Sequence, residues 1–358
     1  ASFLLAVLIW KMPLKLAALS AGFGAVFALW PILWVVFTAL WLYNLSVETG
    51  KFDLLRRWMA EHASSDPRLQ AILVAFCFGA LLEGMAGFGA PVAVAAFLLL
   101  GLGFTPKKAV VIALIANTAP VAFGSLGTPI VALAGVTGLD QMKLSAMVGR
   151  QLPFLSLLLP TYIAWIAGDK KGLKGALGGS LVCGASFALA QFVVSNFWGP
   201  YAADIAAALA SIAAFVTYLK LRPKAEVEAH YAEAKLTLSE SFAAWAPWVI
   251  LAGVLIPWSG LKLMQIGQVT LNFPGLHNAV FLTLYQKKYA ATYNFQPLAP
   301  GTGAFLAVLL TALIFRARPR TVLHTAVATL RQLLRPGLTV CLIVALAYLY
   351  NYSGMIYT

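Results

Sequence analysis

Of the 12 acidic residues in this 358-residue chain, only Glu83 lies well inside an apolar stretch. Its surroundings read Phe78-Gly79-Ala80-Leu81-Leu82-Glu83-Gly84-Met85-Ala86-Gly87-Phe88-Gly89-Ala90-Pro91. The other acids fall in loops or at helix starts. A carboxylate at bilayer depth costs on the order of 2.5–3.5 kcal/mol, even on the lenient insertion scale. Protonation relieves that cost, so such a group can load and release a proton near neutral pH. Proton coupling is therefore the functional reading of Glu83. The structural alternative is an acid bonded to backbone N–H groups freed at a nearby break.

A break is expected. Gly79, Gly84, Gly87 and Gly89, followed by Pro91, cannot sustain a regular helix. Irregular backbone at membrane depth survives only when buried in protein or lining a wet cavity. The pattern predicts a re-entrant hairpin whose tip is formed by Gly87, Phe88 and Gly89. A second broken stretch runs from Asn117 to Pro129 and includes Pro120, Gly124 and Gly127. It supplies one amide and the hydroxyls of Thr118, Ser125 and Thr128. Broken helices expose N–H donors and a positive dipole end, which suit a small anion. Asn117, Thr118, Ser125 and Thr128 are thus candidate substrate ligands. The competing role for each hydroxyl is a bond back to its own helix at the kink. Arg150, about two turns beyond Lys143, is the candidate fixed cation. A guanidinium grips a carboxylate in bidentate fashion, although Arg150 can equally snorkel to an interface.

The elements that must position these residues are membrane helices. Hydrophobic residues make up 61% of the chain and charged residues 10%. Soluble domains average about 45–50% and about 25%, so a soluble globular protein, a disordered tail and a coiled coil are all excluded. Roughly nine or ten stretches approach the about 20 apolar residues that a span needs. They lie at 1–10, 16–43 (interrupted at Trp30-Pro31), 69–104, 109–135, 144–168, 173–196, 201–219, 242–258, 302–315 and 337–352. The expected fold is an all-α polytopic membrane protein, an inverted-repeat secondary transporter with a re-entrant hairpin and broken helices. The net charge of +13 is assigned to basic cytoplasmic loops at 48–68, 105–108, 169–174, 220–240 and 316–320, not to nucleic-acid binding.

The chain divides into scaffold spans and a cytoplasmic loop (1–68), the hairpin and broken-helix transport region (69–168) and central spans (169–258). An extracytoplasmic loop (259–300) and the start of a second inverted repeat (301–358), cut inside that repeat, follow. Leu29-Trp30-Pro31-Ile32-Leu33 returns as Leu334-Arg335-Pro336-Gly337-Leu338, with copies expected to run in opposite directions. No metal is expected, since His62, His230, His277 and His324 lack ligand spacing and Cys77, Cys183 and Cys341 sit in apolar runs. No cofactor is expected, and neither a Walker motif nor a Ser/His/Asp set is legible, so the chain does not read as an enzyme.

Four blocks resemble the L-lactate permease family: Phe76-Cys77-Phe78-Gly79-Ala80-Leu81-Leu82-Glu83-Gly84-Met85-Ala86-Gly87-Phe88-Gly89-Ala90-Pro91-Val92-Ala93, Ile115-Ala116-Asn117-Thr118-Ala119-Pro120-Val121-Ala122-Phe123-Gly124, Gly149-Arg150-Gln151-Leu152-Pro153-Phe154 and Ser195-Asn196-Phe197-Trp198-Gly199-Pro200. The resemblance covers nearly the whole chain and is weakest over 222–300. It implies a bacterial inner-membrane symporter carrying protons with L-lactate, D-lactate or glycolate. It also implies inverted repeats with paired hairpins and homodimeric assembly. Family members carry a further N-terminal segment and a second Gly/Ser/Asp-rich motif past the position of Thr358. Sodium coupling, transport of another small anion and a non-transporting membrane subunit are the alternatives.

Overall fold

In the computed structural model, every residue is described except 1, 63–65, 86, 88–89, 169–171, 222–235, 283–286 and 356–358. The described chain is almost entirely helical. The short α1 (Ser2–Leu8) precedes α2 (Leu14–Glu48), α3 (Lys51–His62), α4 (Pro67–Met85), α5 (Ala90–Gly101) and α6 (Pro106–Ala116). Then come α7 (Gly124–Thr137), α8 (Gln141–Gly168), α9 (Leu177–Phe197), α10 (Ala203–Leu221) and α11 (Leu238–Gly260). α12 (Pro300–Ile314) and α13 (Pro319–Ser353) close the described order.

Seven of these helices are long and apolar enough to cross a membrane, or eight if the bent pair around residue 120 counts as one span. That is fewer than the apolar runs suggested. Stretch 1–10 yields only the 7-residue α1, and stretch 302–315 only the 15-residue α12. Conversely, 337–352 is the end of a 35-residue helix. Its first half was hidden because Arg320, His324, Arg331 and Arg335 interrupt the apolar run.

α4 is the central helix. Its apolar window is 94% buried, against 28–50% for the other spans. Core side chains Phe76, Phe78, Leu81 and Leu82 are at or near zero exposure. α5, α6, α7, α8 and α10 pack around α4. The stretch 69–104 was expected to be one re-entrant excursion. Instead, α4 alone reaches 19 residues, the length of a span, and α5 packs against it. The two helices pair as the arms of a hairpin, and the first arm is long enough to cross; of the expected tip, only Gly87 is among the described residues.

α2 and α13, each 35 residues long, run side by side in opposite directions. Asn44 Nδ2 donates to Thr329 Oγ1 at 2.8 Å and Trp41 Nε1 to Thr325 Oγ1 at 3.1 Å, while towards the other end Gly24 lies against the backbone of Val344 and Ala345. The paired Pro motifs differ in effect. Trp30, before Pro31, leaves the helical region (φ −140°, ψ 122°), whereas Pro336 sits inside an unbroken helix.

The connection 261–299 carries no span. It folds as two strand pairs, β1 (Val269–Asn272) with β4 (Thr292–Phe295) and β2 (Phe281–Leu282) with β3 (Lys287–Lys288), both antiparallel. It covers the α2 break: Tyr293 Oη donates to the Trp30 carbonyl at 2.9 Å, and Trp30 Nε1 donates to the Gln296 carbonyl at 3.1 Å. Backbone freed at the break thereby regains partners, as an apolar medium requires.

Candidate functional site

Glu83 lies two residues before the end of α4 and is 5% exposed. The apolar face of the hairpin buries it, and two chain breaks surround it. The first is the turn after Met85, where Gly87 adopts left-handed backbone (φ +51°). A side chain at Gly87 would run into the Ser125 hydroxyl, and its Cβ would stand 3.5 Å from Glu83 Oε1. Phe88 and Gly89, the other expected tip residues, lie outside the described residues.

The second break separates α6 from α7. The two segments meet at a 62° bend. Ser125, Leu126 and Gly127 are all left-handed, with φ of 46°, 55° and 71°. Two consecutive non-glycine residues in that region cost on the order of 1–3 kcal/mol each. They persist because packing fixes them: Leu126 is fully buried and Ser125 is 4% exposed. Gly124 lies directly against the Glu83 carboxyl, where any Cβ would overlap Oε1. Asn117, where α6 ends, places its carboxamide in hydrogen-bonding reach of the same carboxyl. Glu83 Oε2 has no hydrogen-bond partner among the described residues.

The four sequence blocks converge here. The Ser195–Pro200 block covers the left-handed turn: a Cβ on Gly127 would meet Pro200 Cβ at 2.7 Å and its carbonyl oxygen at 2.8 Å. The Gly149–Phe154 block packs on the same segment through Gly149, which lies against Ser195, and Ser145 Oγ donates to the Ser195 carbonyl at 2.8 Å.

The remaining expected ligands separate. Thr128 uses its hydroxyl to donate to the Ser125 carbonyl at 2.6 Å, the local helix bond weighed against a ligand role. Thr118 is exposed. Arg150 is exposed on α8 and donates to Asn196 Oδ1 at 2.9 Å. With Lys143, Met147 and Gln151 it lines an open groove of ≈ 340 Å³. Among the described residues, no hydrogen bond joins Arg150 to Glu83, Asn117 or Ser125; its partner is Asn196. An exposed polar contact of this kind is worth about 0–1 kcal/mol. Arg150→Ala is therefore expected to raise the KM for uptake by no more than about fivefold. A far larger loss, read from initial rates against substrate concentration, would return Arg150 to the binding site.

Sequence reasoning missed Asp204. It stands in the first turn of α10, where an acid normally serves the helix dipole at a surface, yet it is 1% exposed. Its Oδ1 accepts from Gln191 Nε2 at 3.3 Å. Gln191 Nε2 also approaches the Ala119 carbonyl at 3.2 Å, and Gln191 Oε1 accepts from Ser156 Oγ at 2.9 Å. A polar line thus runs from α8 through α9 to α10. The available signal was an acid in an otherwise apolar run straight after Gly199-Pro200. Nearby, between the spans, the buried Tyr201 hydroxyl accepts from Gln141 Nε2 at 2.7 Å. Burial pushes that phenol up to about 12, so it stays protonated. Among the described residues, no group of three or more His, Cys, Asp or Glu side chains can hold a metal ion.

A multi-pass helical bundle with a buried carboxyl between two broken segments has the architecture of a membrane transport protein. The L-lactate permease family model matches residues 1–358. The glycolate permease GlcA of Escherichia coli K12 is 38% identical over 99% of this chain and 69% of its own length. The L-lactate permease of Bacillus subtilis is likewise 38% identical over 99% and 69%. That of Salmonella typhimurium is 36% identical over 98% and 68%. No solved structure matches the chain. This chain belongs to the L-lactate permease family. It is a multi-pass transport protein of the bacterial inner (plasma) membrane, not an enzyme.

Proposed function

We propose that this protein is a secondary active transporter that carries L-lactate, D-lactate and glycolate inward together with protons, with Glu83 as the proton carrier. The observation that supports this reading most is the Glu83 carboxyl, 5% exposed with Oε2 unpartnered, placed against the left-handed turn of α7. A charged carboxylate there is costly, and binding a proton removes the cost. The names of the relatives supply the substrate class: small 2-hydroxymonocarboxylates.

The chemistry assigned to each group follows from its place. The helix that resumes after the left-handed turn at Ser125–Gly127 directs its positive dipole end at this place, which favours a carboxylate. Ser125 and Asn117 border the same space and supply hydroxyl and amide contacts. Bringing the anion beside Glu83 favours the protonated acid, because two negative charges cannot share a dry site cheaply. Binding of proton and anion is thereby mutually reinforcing, which is the thermodynamic content of symport.

The test is uptake of labelled L-lactate and glycolate by the full-length protein in proteoliposomes. An inward proton gradient and an inward sodium gradient are applied separately. Accumulation with the proton gradient alone is expected. Accumulation with sodium alone would overturn proton coupling and keep the permease. No accumulation of either acid under either gradient would overturn the substrate assignment.

A further inference from the structure

The reading of Glu83 as proton carrier leaves a second buried acid unexplained. Asp204 sits across from it, on the face of α10 that packs against α4. A Cβ on Gly84, the residue after Glu83, would stand 3.0 Å from Asp204 Cβ and 3.2 Å from the Ile205 amide nitrogen. The missing side chain at Gly84 is what lets the start of α10 approach the end of α4 so closely. Asp204 is 1% exposed, and its Oδ2 has no hydrogen-bond partner among the described residues. The contact of Gly84 with Asp204 thus sets α10 directly against the turn of α4 that carries Glu83.

Among the described residues, no positive charge compensates the two acids. The elements packed against α10 are α4, α7, α9 and α11. α7 and α9 carry no Lys, Arg, Asp, Glu or His. On α4, Arg68 is held at the opposite end by Asp66, at 2.6 Å. The buried thiols Cys77 of α4 and Cys183 of α9 contact each other at 3.2 Å. Glu240 of α11 is half-buried at the start of its own helix, which it caps with Thr237. On α10 itself, Lys220 lies near the far end. Two buried carboxylates, each with one amide donor (Asn117 for Glu83, Gln191 for Asp204) and no cation, cannot both stay charged cheaply.

We propose that Asp204 is the second half of a buried carboxyl pair with Glu83, which holds one transported proton, and that Gln191 positions it. Resting on the proton-symport reading, the inference adds where the proton resides during a transport half-cycle. One proton enters from water on the outer side and occupies the pair when lactate binds. It returns to water on the inner side. Neither carboxyl forms a bond to the substrate. The Gln191 amide, itself fixed by Ser156 and Ala119, bonds Oδ1 and leaves Oδ2 to share the proton.

The experiment compares wild-type full-length protein, Asp204→Asn and Gln191→Leu in proteoliposomes. Accumulation driven by a proton gradient and lactate–lactate exchange at equal pH are both measured. Exchange needs substrate binding and the conformational change but no net proton movement. It therefore reports a folded, working transporter. Asp204→Asn is expected to lose about tenfold or more in accumulation and to keep exchange within about twofold, in line with coupling free energies of this kind. Gln191→Leu removes the donor, keeps the buried volume and is expected to show the same split more weakly. It carries the test if Asp204→Asn does not elute as a single species. Wild-type-like accumulation in Asp204→Asn overturns the inference. So does an equal loss of accumulation and exchange in the variant tested, which marks a structural role. So does a sodium requirement that disappears with Asp204, which marks a cation site. Failure of the wild type to accumulate lactate on a proton gradient defeats the symport reading itself and is seen before any variant is compared.

Discussion

Glu83→Gln is expected to abolish proton-driven accumulation of L-lactate while leaving lactate–lactate exchange in place. The glutamine keeps the shape and one oxygen of the carboxyl but cannot take up or release a proton. Each pH unit of gradient is worth about 1.36 kcal/mol, so two units support up to about 100-fold accumulation at one proton per lactate. In Glu83→Gln that ratio falls to about one, because the gradient no longer acts on the loaded carrier. Accumulation ratios in proteoliposomes at fixed gradient check it. A variant that still concentrates lactate would remove Glu83 from the coupling step.

Gly127→Ala is expected to be the most damaging single-methyl change at the site. Gly127 has φ +71°, and the new Cβ would meet Pro200 Cβ at 2.7 Å and the Pro200 carbonyl oxygen at 2.8 Å. Left-handed backbone costs an L-residue about 1–2 kcal/mol. Forcing backbone apart in a packed core costs about 1–3 kcal/mol more. Gly138 supplies the internal control: it has nearly the same φ, +68°, but nothing within 4 Å of its Cβ position. Gly138→Ala should therefore show only the backbone cost. Thermal unfolding of both variants in detergent, read by loss of the monodisperse peak, separates the two contributions. Equal destabilisation would mean that Pro200 yields and that the turn is not clamped.

Much of this site is legible from residue type alone. An acid inside an apolar run must be explained, and glycines followed by proline must break a helix. Those two rules locate Glu83 and the turn after Met85. Pro120, Gly124 and Gly127 likewise announce the bend between α6 and α7. What cannot be read locally is which broken segments meet. Gly87 against Ser125, Gly124 against Glu83 and Gly127 against Pro200 are contacts between distant parts of the chain, and each depends on an absent side chain. The same limit hid Asp204. In sequence it looks like a first-turn acid, because only the close approach of α10 to Gly84 buries it. Arg150 is the converse case. Its chemistry suits a carboxylate, but its face of α8 points away from the core. Span counting fails where arginines punctuate an otherwise helical run, as in the first half of α13.

Proton carriage by Glu83 is tested most directly by following pH outside lightly buffered proteoliposomes when L-lactate is added with no imposed gradient. The wild-type protein should make the medium more alkaline as lactate enters, in proportion to the lactate taken up. Glu83→Gln, reconstituted at equal density and shown to exchange lactate, should give no such change. Lactate entry without alkalinisation in the wild type, or undiminished alkalinisation in Glu83→Gln, would contradict proton symport through this carboxyl.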